Sequence, residues 1–359
     1  MMKYGNIALK PDERAVFALR ELYGKYGYTH YKMGKFEEYD LYAKNRSFLV
    51  SDSILSFTDT NGKLMAMKPD VTLSIVKNIG SNDTATHKFF YNENVYRTSV
   101  SSGGFREIMQ TGLECIGNID TYLTCEVLSL ARESLLLMSQ DSLIVLSHMG
   151  YTLGLLEACE LGDKETAMAL EFIKSKNAGA ISALADEAGV SAQKKDALRF
   201  VTKFYGDLGA ACEQIEKYLF NERMSAAYTE LCEIRGVMGA AALYVDFSVV
   251  NDMNYYDGVI FNGYINGIAE SILSGGRYDK LISRMGKKAG AIGFAVYIDL
   301  LERLAQDDES FDADVLLVYG DATPSAVVSA VASLVDRGRT VKAVREDDGT
   351  GNYKEKQVL

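Results

Sequence analysis

The run HKFFYNENVYR, residues 87–97, alternates along its length and is rich in aromatic side chains; after the small-residue segment SVSSGG it is answered by a second strand-like run, FREIMQTGLECIG, residues 105–117. Alternation at period two marks strands, and the small polar connection joins these two into a long-looped antiparallel hairpin. The neighbouring sequence has to be fitted around that hairpin. Upstream, KPDERAVFALRELYGKYGY opens with Pro11 and acidic residues, carries an apolar face through Ala15, Leu19, Leu22 and Tyr26, and closes near Gly24 and Gly27, the pattern of one amphipathic helix. The segment Phe48 to Phe57 and the turn NGK (61–63) lead into LMAMKPDVTLSIVKN, which begins as a strand and turns helical after Pro69 and Asp70, with Asp70 placed to cap the helix.

Downstream, residues 122–138 return to helical spacing and DSLIVLSHMG reads as a strand. From about 151 to 240 the chain is rich in Ala, Leu, Glu and Lys with helical spacing and few strand-like runs. LYVDFSVV, YYDGVIFNGYI, GIAESILSGGRYDKL and AGAIGFAVYIDLLERL then restore strands and end in a helix. Two sheet-forming blocks around a helical one predict an α+β fold, an antiparallel sheet flanked by helices and interrupted by a helical insertion. Past the acidic segment QDDESFDAD, residues 312–359 read as a short β-α-β unit, well under the ~100 residues of a typical domain.

At 359 residues there is room for two or three domains, and 48% hydrophobic with 24% charged residues is an ordinary globular composition. With 38 Lys+Arg against 49 Asp+Glu the net charge is −11, which gives no global field for a polyphosphate and disfavours nucleic acid as a partner. No apolar run reaches the ~18–20 residues of a membrane span, and the first residues lack the apolar stretch of a secretory signal, so the expected location is the cytoplasm. The five cysteines are scattered and never paired as C-x-x-C, which reads as reduced core thiols and neither a disulfide framework nor a zinc site. His30, His87 and His148 each stand alone and read as structural. No metal or cofactor is expected.

Five ordered motifs carry a resemblance: K-P-D-V-T (68–72), Y-R with a Gly-rich loop and F-R-E-I-M-Q-T-G-L-E (96–114), M-N-Y-Y-D-G-V-I-F (253–261), S-G-G-R-Y-D-K-L (274–281) and G-F-A (293–295). Over most of residues 1–305 the chain resembles the catalytic domain of histidyl-tRNA synthetases. The resemblance implies a class II aminoacyl-tRNA synthetase-like antiparallel sheet and a dimer formed near Gly27 to Glu37. It also implies a histidine pocket in which Asp70, Thr72 and Gln110 hold the α-ammonium while Glu114 and Tyr256 meet the imidazole. The residue types suit that ligand, since carboxylates and carbonyls accept from an ammonium and a neutral imidazole needs one acceptor and one donor.

The nucleotide side departs from the family. Arg97 and Arg106 remain, and Arg277 and Tyr278 are possible phosphate or ligand contacts. Asn251 stands where the resemblance places a reactive-site arginine, N-D-M-N-Y-Y replacing R-G-L-D-Y-Y, and Asp299–Leu300 replace an E-R pair. Gly104 replaces a basic residue, Lys68 an arginine and Gly34 a proline. Losing cations that stabilise charge on a reacting phosphate should abolish or severely weaken adenylation. The pattern is similar to the regulatory subunits of ATP phosphoribosyltransferase, relatives of histidyl-tRNA synthetase. That similarity implies a non-catalytic chain that partners a short-form catalytic subunit, expected as a hetero-octamer, at the first step of histidine biosynthesis and senses L-histidine, with tRNA an unlikely partner. A divergent synthetase or amino-acid ligase using Arg97 and Arg277 with magnesium, and a scaffold with an empty pocket, are the competing readings.

Plainer roles stand beside these. Asp70 can be a helix cap alone, Gln110 or Glu114 an exposed ion-pair partner, and SGGRYD a turn whose glycines supply unusual φ, with Arg277 paired locally. The stretch VVNDMNYYDGVIFNGYI (249–265) reads as a buried aromatic strand pair with a turn, and on a strand Tyr255 and Tyr256 face opposite sides.

Overall fold

The computed structural model describes residues 10–49, 53–80, 85–98, 104–240, 243–250, 255–303 and 311–359. Its described residues divide into two compact units, one within Pro11–Arg303 and a second that contains residues 311–359.

The larger unit begins with α1 (Pro11–Lys25), which has Pro11 at its first position and Asp12 and Glu13 in the first turn, where the unpaired N–H groups favour negative charge. It buries Ala15, Leu19 and Tyr23. Tyr26, expected on this face, is exposed because the helix ends at Lys25; Tyr23 takes the inward place instead, with its hydroxyl 3.0 Å from that of Ser134. Next come β1 (Thr29–His30), β2 (Phe36–Glu38), α2 (Tyr39–Lys44), β3 (Ser56–Thr58), β4 (Leu64–Met67) and α3 (Thr72–Asn78). Strands β2, β4 and β3 make a small antiparallel sheet.

The hairpin is β5 (His87–Thr98) and β6 (Phe105–Gly117), paired from His87 opposite Ile116 to Thr98 opposite Phe105. After α4 (Thr121–Met138) and β7 (Ser142–His148) the chain runs through a helical block: α5 (Met149–Ala158), α6 (Asp163–Lys174), α7 (Ala178–Glu187), α8 (Ala192–Lys203), the short β8 (Gly206–Asp207), α9 (Leu208–Ile215) and α10 (Glu222–Met238). It then returns as β9 (Tyr244–Val245), β10 (Val259–Ile265), β11 (Leu273–Arg277), α11 (Asp279–Arg284) and β12 (Gly290–Tyr297). The main sheet has nine strands in the order β1-β5-β6-β12-β11-β10-β7-β9-β8, antiparallel from β5 through β7.

Alternation sorts side chains onto two buried faces. Leu113, Cys115, Phe261, Ile292, Phe294 and Val296 point into a large core shared with α1, α4 and the helical block, whose Tyr151, Leu155, Ile173, Leu198 and Leu231 are all buried in it. The opposite face packs Tyr91, Val95, Ile116 and Ala291 against Leu73, Ile75 and Val76 of α3 and Leu281 and Ile282 of α11. All five cysteines are free, and four are buried.

Two local readings change. Tyr255 lies in a turn and β10 starts only at Val259, so strand alternation does not govern Tyr255 and Tyr256; their ring centroids are 4.6 Å apart. Ser274–Arg277 is strand, not turn, and its glycines are required by close approach. A Cβ on Gly275 would sit 2.4 Å from the carbonyl oxygen of Gly293, and one on Gly276 2.7 Å from that of Val259.

The smaller unit contains β13 (Ala313–Val318), α12 (Pro324–Asp336), β14 (Val341–Val344) and β15 (Tyr353–Val358), with parallel strands in the order β14-β13-β15. The strand β15 goes beyond the expected β-α-β unit, because YKEKQV is too polar to announce itself as a strand. Among the described residues no helix is long and apolar enough to cross a membrane.

Candidate functional site

The second sheet face is hollowed because small residues fall on it in register. Antiparallel partners share a face, and one row across the sheet reads Tyr91, Gly112, Ala295, Ser274, Asn262, Val145. The next row places Glu114 beside Gly293 and Gly276. The missing side chains leave a cavity of about 410 Å³, lined among others by Asp70, Thr72, Tyr91, Arg97, Gln110, Glu114, Tyr255, Tyr256 and Tyr278. Gly293 is indispensable to this arrangement, since a Cβ there would stand 1.9 Å from Glu114 Oε2 and 2.4 Å from the Leu113 carbonyl oxygen.

Glu114 is the centre of the polar network. Thr72 donates its hydroxyl to Oε1 at 2.6 Å and Tyr278 donates to Oε2 at 2.5 Å. Asp70 precedes α3 and accepts from the Leu73 N–H at 2.8 Å, so it does cap that helix while still lining the cavity. Arg97 donates from Nε to the Pro69 carbonyl at 2.8 Å, which sets its charge beside Asp70. Gln110, Tyr91 and Tyr256 line the cavity with polar groups that make no hydrogen bond to another described residue. Their polar atoms therefore open onto the cavity, where they are available to a polar ligand. Burial holds the Tyr91, Tyr256 and Tyr278 phenols well above their ordinary value, and all three remain hydroxyl donors.

Burial pushes the Glu114 carboxyl up to about 8, against the downward pull of the Thr72 and Tyr278 hydrogen bonds. Asp70 is also raised by burial, with Arg97 pulling the other way. A carboxyl whose folded value lies above its unfolded one keeps its proton longer when folded, so its contribution to stability is lost as pH rises from about 4.5 to about 8. The ligand-free melting temperature should fall across that window. Glu114→Gln, whose amide still pairs with both hydroxyls, should flatten the fall and leave only the part owed to Asp70; an unchanged slope would contradict the assignment.

The structure therefore brings Asp70, Thr72, Gln110, Glu114, Tyr256, Arg97 and Tyr278 to one cavity. Two expected contacts are not there. Arg277 is one residue out of phase with Ser274 and Gly276, so it faces the other side of the sheet, where Nε bonds Asp279 at 2.9 Å and a terminal nitrogen lies 3.6 Å from Glu230. Arg106 shares a face with Arg97 but is exposed, four residues along β6 from Gln110 or about 13 Å at strand rise. Asn251 and the rest of 251–254, like most of the Gly-rich loop at 99–103, lie outside the described residues. Asp299 accepts from the Met109 N–H at 3.2 Å. Sequence reasoning missed Tyr91, Tyr255, Asn262 and Ser274 as lining residues; the two-residue period back from Arg97 and Gly276 would have found Tyr91 and Ser274. Among the described residues no cluster of three or more His, Cys, Asp or Glu is arranged to hold a metal ion.

The family profile described as histidyl-tRNA synthetase matches residues 8–301. The chain is similar to the ATP phosphoribosyltransferase regulatory subunit of Oceanobacillus iheyensis, 29% identical over 304 residues that cover 82% of this chain and 75% of that one. It is similar to the protein of the same name from Clostridium kluyveri, 28% identical over 348 residues covering 92% and 88%. Among solved structures, an ATP phosphoribosyltransferase regulatory subunit/histidyl-tRNA synthetase from Bacillus halodurans superposes over 100% of both chains with a TM-score of 0.82 at 21% identity. A chain of the ATP phosphoribosyl transferase (HisG:HisZ) complex from Thermotoga maritima does so over 80% of this chain and 97% of its own, with a TM-score of 0.62 at 18% identity. At such identities the structures speak for the fold, and the profile, matched across most of the sheet and its motifs, speaks for descent: the chain belongs to the histidyl-tRNA synthetase family.

Proposed function

We propose that this chain is a non-catalytic regulatory subunit of ATP phosphoribosyltransferase, working in the cytoplasm with a short catalytic subunit at the first step of histidine biosynthesis and binding L-histidine as its feedback signal. The observation that carries the reading is the convergence of two buried carboxyls, Asp70 and Glu114, with the Gln110 amide and Tyr256 hydroxyl, which make no hydrogen bond to another described residue, on one cavity. An α-ammonium offers three donors to Asp70, the Gln110 carbonyl and the Thr72 oxygen, whose own proton is committed to Glu114. A neutral imidazole offers its N–H to Glu114 and takes a proton from Tyr256. The names of the two relatives and of the Thermotoga maritima complex support the regulatory role and the catalytic partner. A self-dimer formed near Gly27 to Glu37 and a hetero-octamer with that partner belong to the same proposal.

The outward turn of Arg277 and the exposure of Arg106 support a chain that does not adenylate, since neither places a guanidinium on the cavity. Feedback requires that histidine bind two states of the complex with different affinity, typically by ~1–3 kcal/mol, and the partner must then change histidine affinity by the same factor. Calorimetric titration of the purified chain with L-histidine tests the binding step. Saturable binding that vanishes in the Asp70→Ala/Glu114→Ala double variant is the expected result. Retained binding in that variant would remove the pocket assignment, and histidine-dependent pyrophosphate exchange into ATP would overturn the non-catalytic reading.

A further inference from the structure

On the sheet face away from the cavity, Arg277 belongs to a chain of bonded groups that returns to the cavity through its own neighbour. His148, the last residue of β7, donates from Nε2 to Glu230 Oε2 on α10 at 2.9 Å, since the Glu230 carboxylate can only accept. The other oxygen of Glu230 lies 3.6 Å from a terminal nitrogen of Arg277, whose Nε donates to Asp279 Oδ2 at 2.9 Å. Asp279 Oδ1 accepts from the Ala291 N–H on β12 at 2.8 Å, and the Tyr278 N–H donates to the Ala291 carbonyl at 2.9 Å. Tyr278 is thus bracketed by two residues bonded to each other across it, and its hydroxyl emerges on the cavity side to meet Glu114. The turn ahead of β10 is fastened to the same bracket. The Asp257 N–H donates to the Arg277 carbonyl at 3.1 Å, and the Asp257 carboxyl accepts from the Lys280 N–H at 2.7 Å.

We propose that Glu230 is a positioning residue for the ligand site: through Arg277 it fixes the bracket that aims Tyr278 at Glu114, so that the helical block governs how well the cavity holds its ligand; this rests on the histidine reading above. Glu230 is not among the residues that line the cavity, so its effect has to travel through the bracket. Its charge is what the geometry uses. The Glu230 and Arg277 side chains are each only 25% exposed, and the guanidinium is shared between Glu230 on the helical block and Asp279 at the start of α11. Charge-assisted contacts of this kind are stronger than neutral ones, and without Glu230 the outer edge of the guanidinium has no anchor on α10. Gly258 closes the arrangement, because a Cβ there would stand 3.0 Å from Arg277 Cδ, so the arginine stem lies directly against the turn that follows Tyr256. Coupling of this sort is reciprocal: if α10 favours the bound arrangement of Tyr278, a bound ligand favours the docked arrangement of α10 by the same free energy.

The test is a double-variant cycle on the full chain, titrating wild type, Glu230→Gln, Tyr278→Phe and the combined variant with L-histidine. Glu230→Gln keeps the shape and drops the charge; it should weaken L-histidine by about fivefold. In the Tyr278→Phe background, where the hydroxyl at the end of the chain is gone, the same change should cost less than about twofold. Glu233→Gln is the matched control, since it removes an equal charge from an exposed position on α10 that is bonded to Thr121 at 2.6 Å, and it should leave affinity within about twofold of wild type. Amide exchange gives a second readout that a loss of stability alone would not move: at equal occupancy, L-histidine should slow exchange around Glu230 in wild type and not in Glu230→Gln. That comparison decides the matter if Tyr278→Phe binds too weakly to titrate. Equal losses in both backgrounds, or a Glu230→Gln protein with wild-type affinity or a wild-type exchange response, would overturn the Glu230 assignment and leave the histidine reading standing. Wild type that does not bind L-histidine would overturn both.

Discussion

Under the proposed function, Glu114→Ala should weaken L-histidine binding strongly. The side chain is 3% exposed and both carboxyl oxygens are engaged, so truncation strands the Thr72 and Tyr278 hydroxyls and, on the proposed reading, deletes the imidazole's acceptor. Losing the partner of a buried hydrogen-bonding group costs ~1–3 kcal/mol, which corresponds to roughly 5-fold to 150-fold in dissociation constant. Calorimetry reads it directly. Stability behaves differently, because a carboxyl that burial pushes up to about 8 is itself a burden at alkaline pH. The variant should therefore lose affinity by a far larger factor than it loses melting temperature; binding within threefold of wild type would remove Glu114 from the site.

Gly293→Ala should unfold or empty the site with a single methyl group. The new Cβ would lie 1.9 Å from Glu114 Oε2 and 2.4 Å from the Leu113 carbonyl oxygen. The carboxyl can swing away, but the carbonyl belongs to β6, which is hydrogen-bonded to β5 on one side and to β12 on the other. Overpacking of this kind costs about 1–3 kcal/mol or more, and any relief moves Glu114 off its two hydroxyl donors. Gly286→Ala is the matched control for glycine loss, with open space around its Cβ position but a positive φ. Chemical denaturation with histidine titration should show Gly293→Ala losing both stability and binding while Gly286→Ala loses only a little stability. A Gly293→Ala protein with wild-type affinity would show that the floor of the cavity is not where the ligand sits.

Much of this site was legible because its residues lie in motifs with strand or cap spacing. Gln110 and Glu114, four apart on β6, had to share a face, and Asp70 before Thr72 had to sit at a helix start. The antiparallel hairpin followed from alternation. What escaped were consequences of phase and of distant chain. Arg277 belongs to the motif and yet turns away, because strand β11 runs through it and places Ser274 and Gly276 inward. Tyr255 sits in a turn and Tyr256 lies ahead of β10, so the strand rule does not apply to either. Lys174, sixty residues past the end of the nearest motif at Glu114, reaches the cavity only through the packing of α6, which no local pattern encodes. Glycine spacing, by contrast, carried more than it first suggested: Gly112, Gly276 and Gly293 hold a space open by close strand approach, not by unusual φ.

The measurement that bears most directly on the regulatory role is ATP phosphoribosyltransferase activity of a short-form catalytic subunit assayed alone, with this chain added, and with chain plus L-histidine, using wild type and Glu114→Ala in parallel. Both chains should change the activity of the catalytic subunit by forming the complex, and L-histidine should inhibit only the complex holding wild type. Activity indifferent to the added chain would contradict the regulatory role, and equal histidine inhibition of the Glu114→Ala complex would place the sensor somewhere other than this cavity.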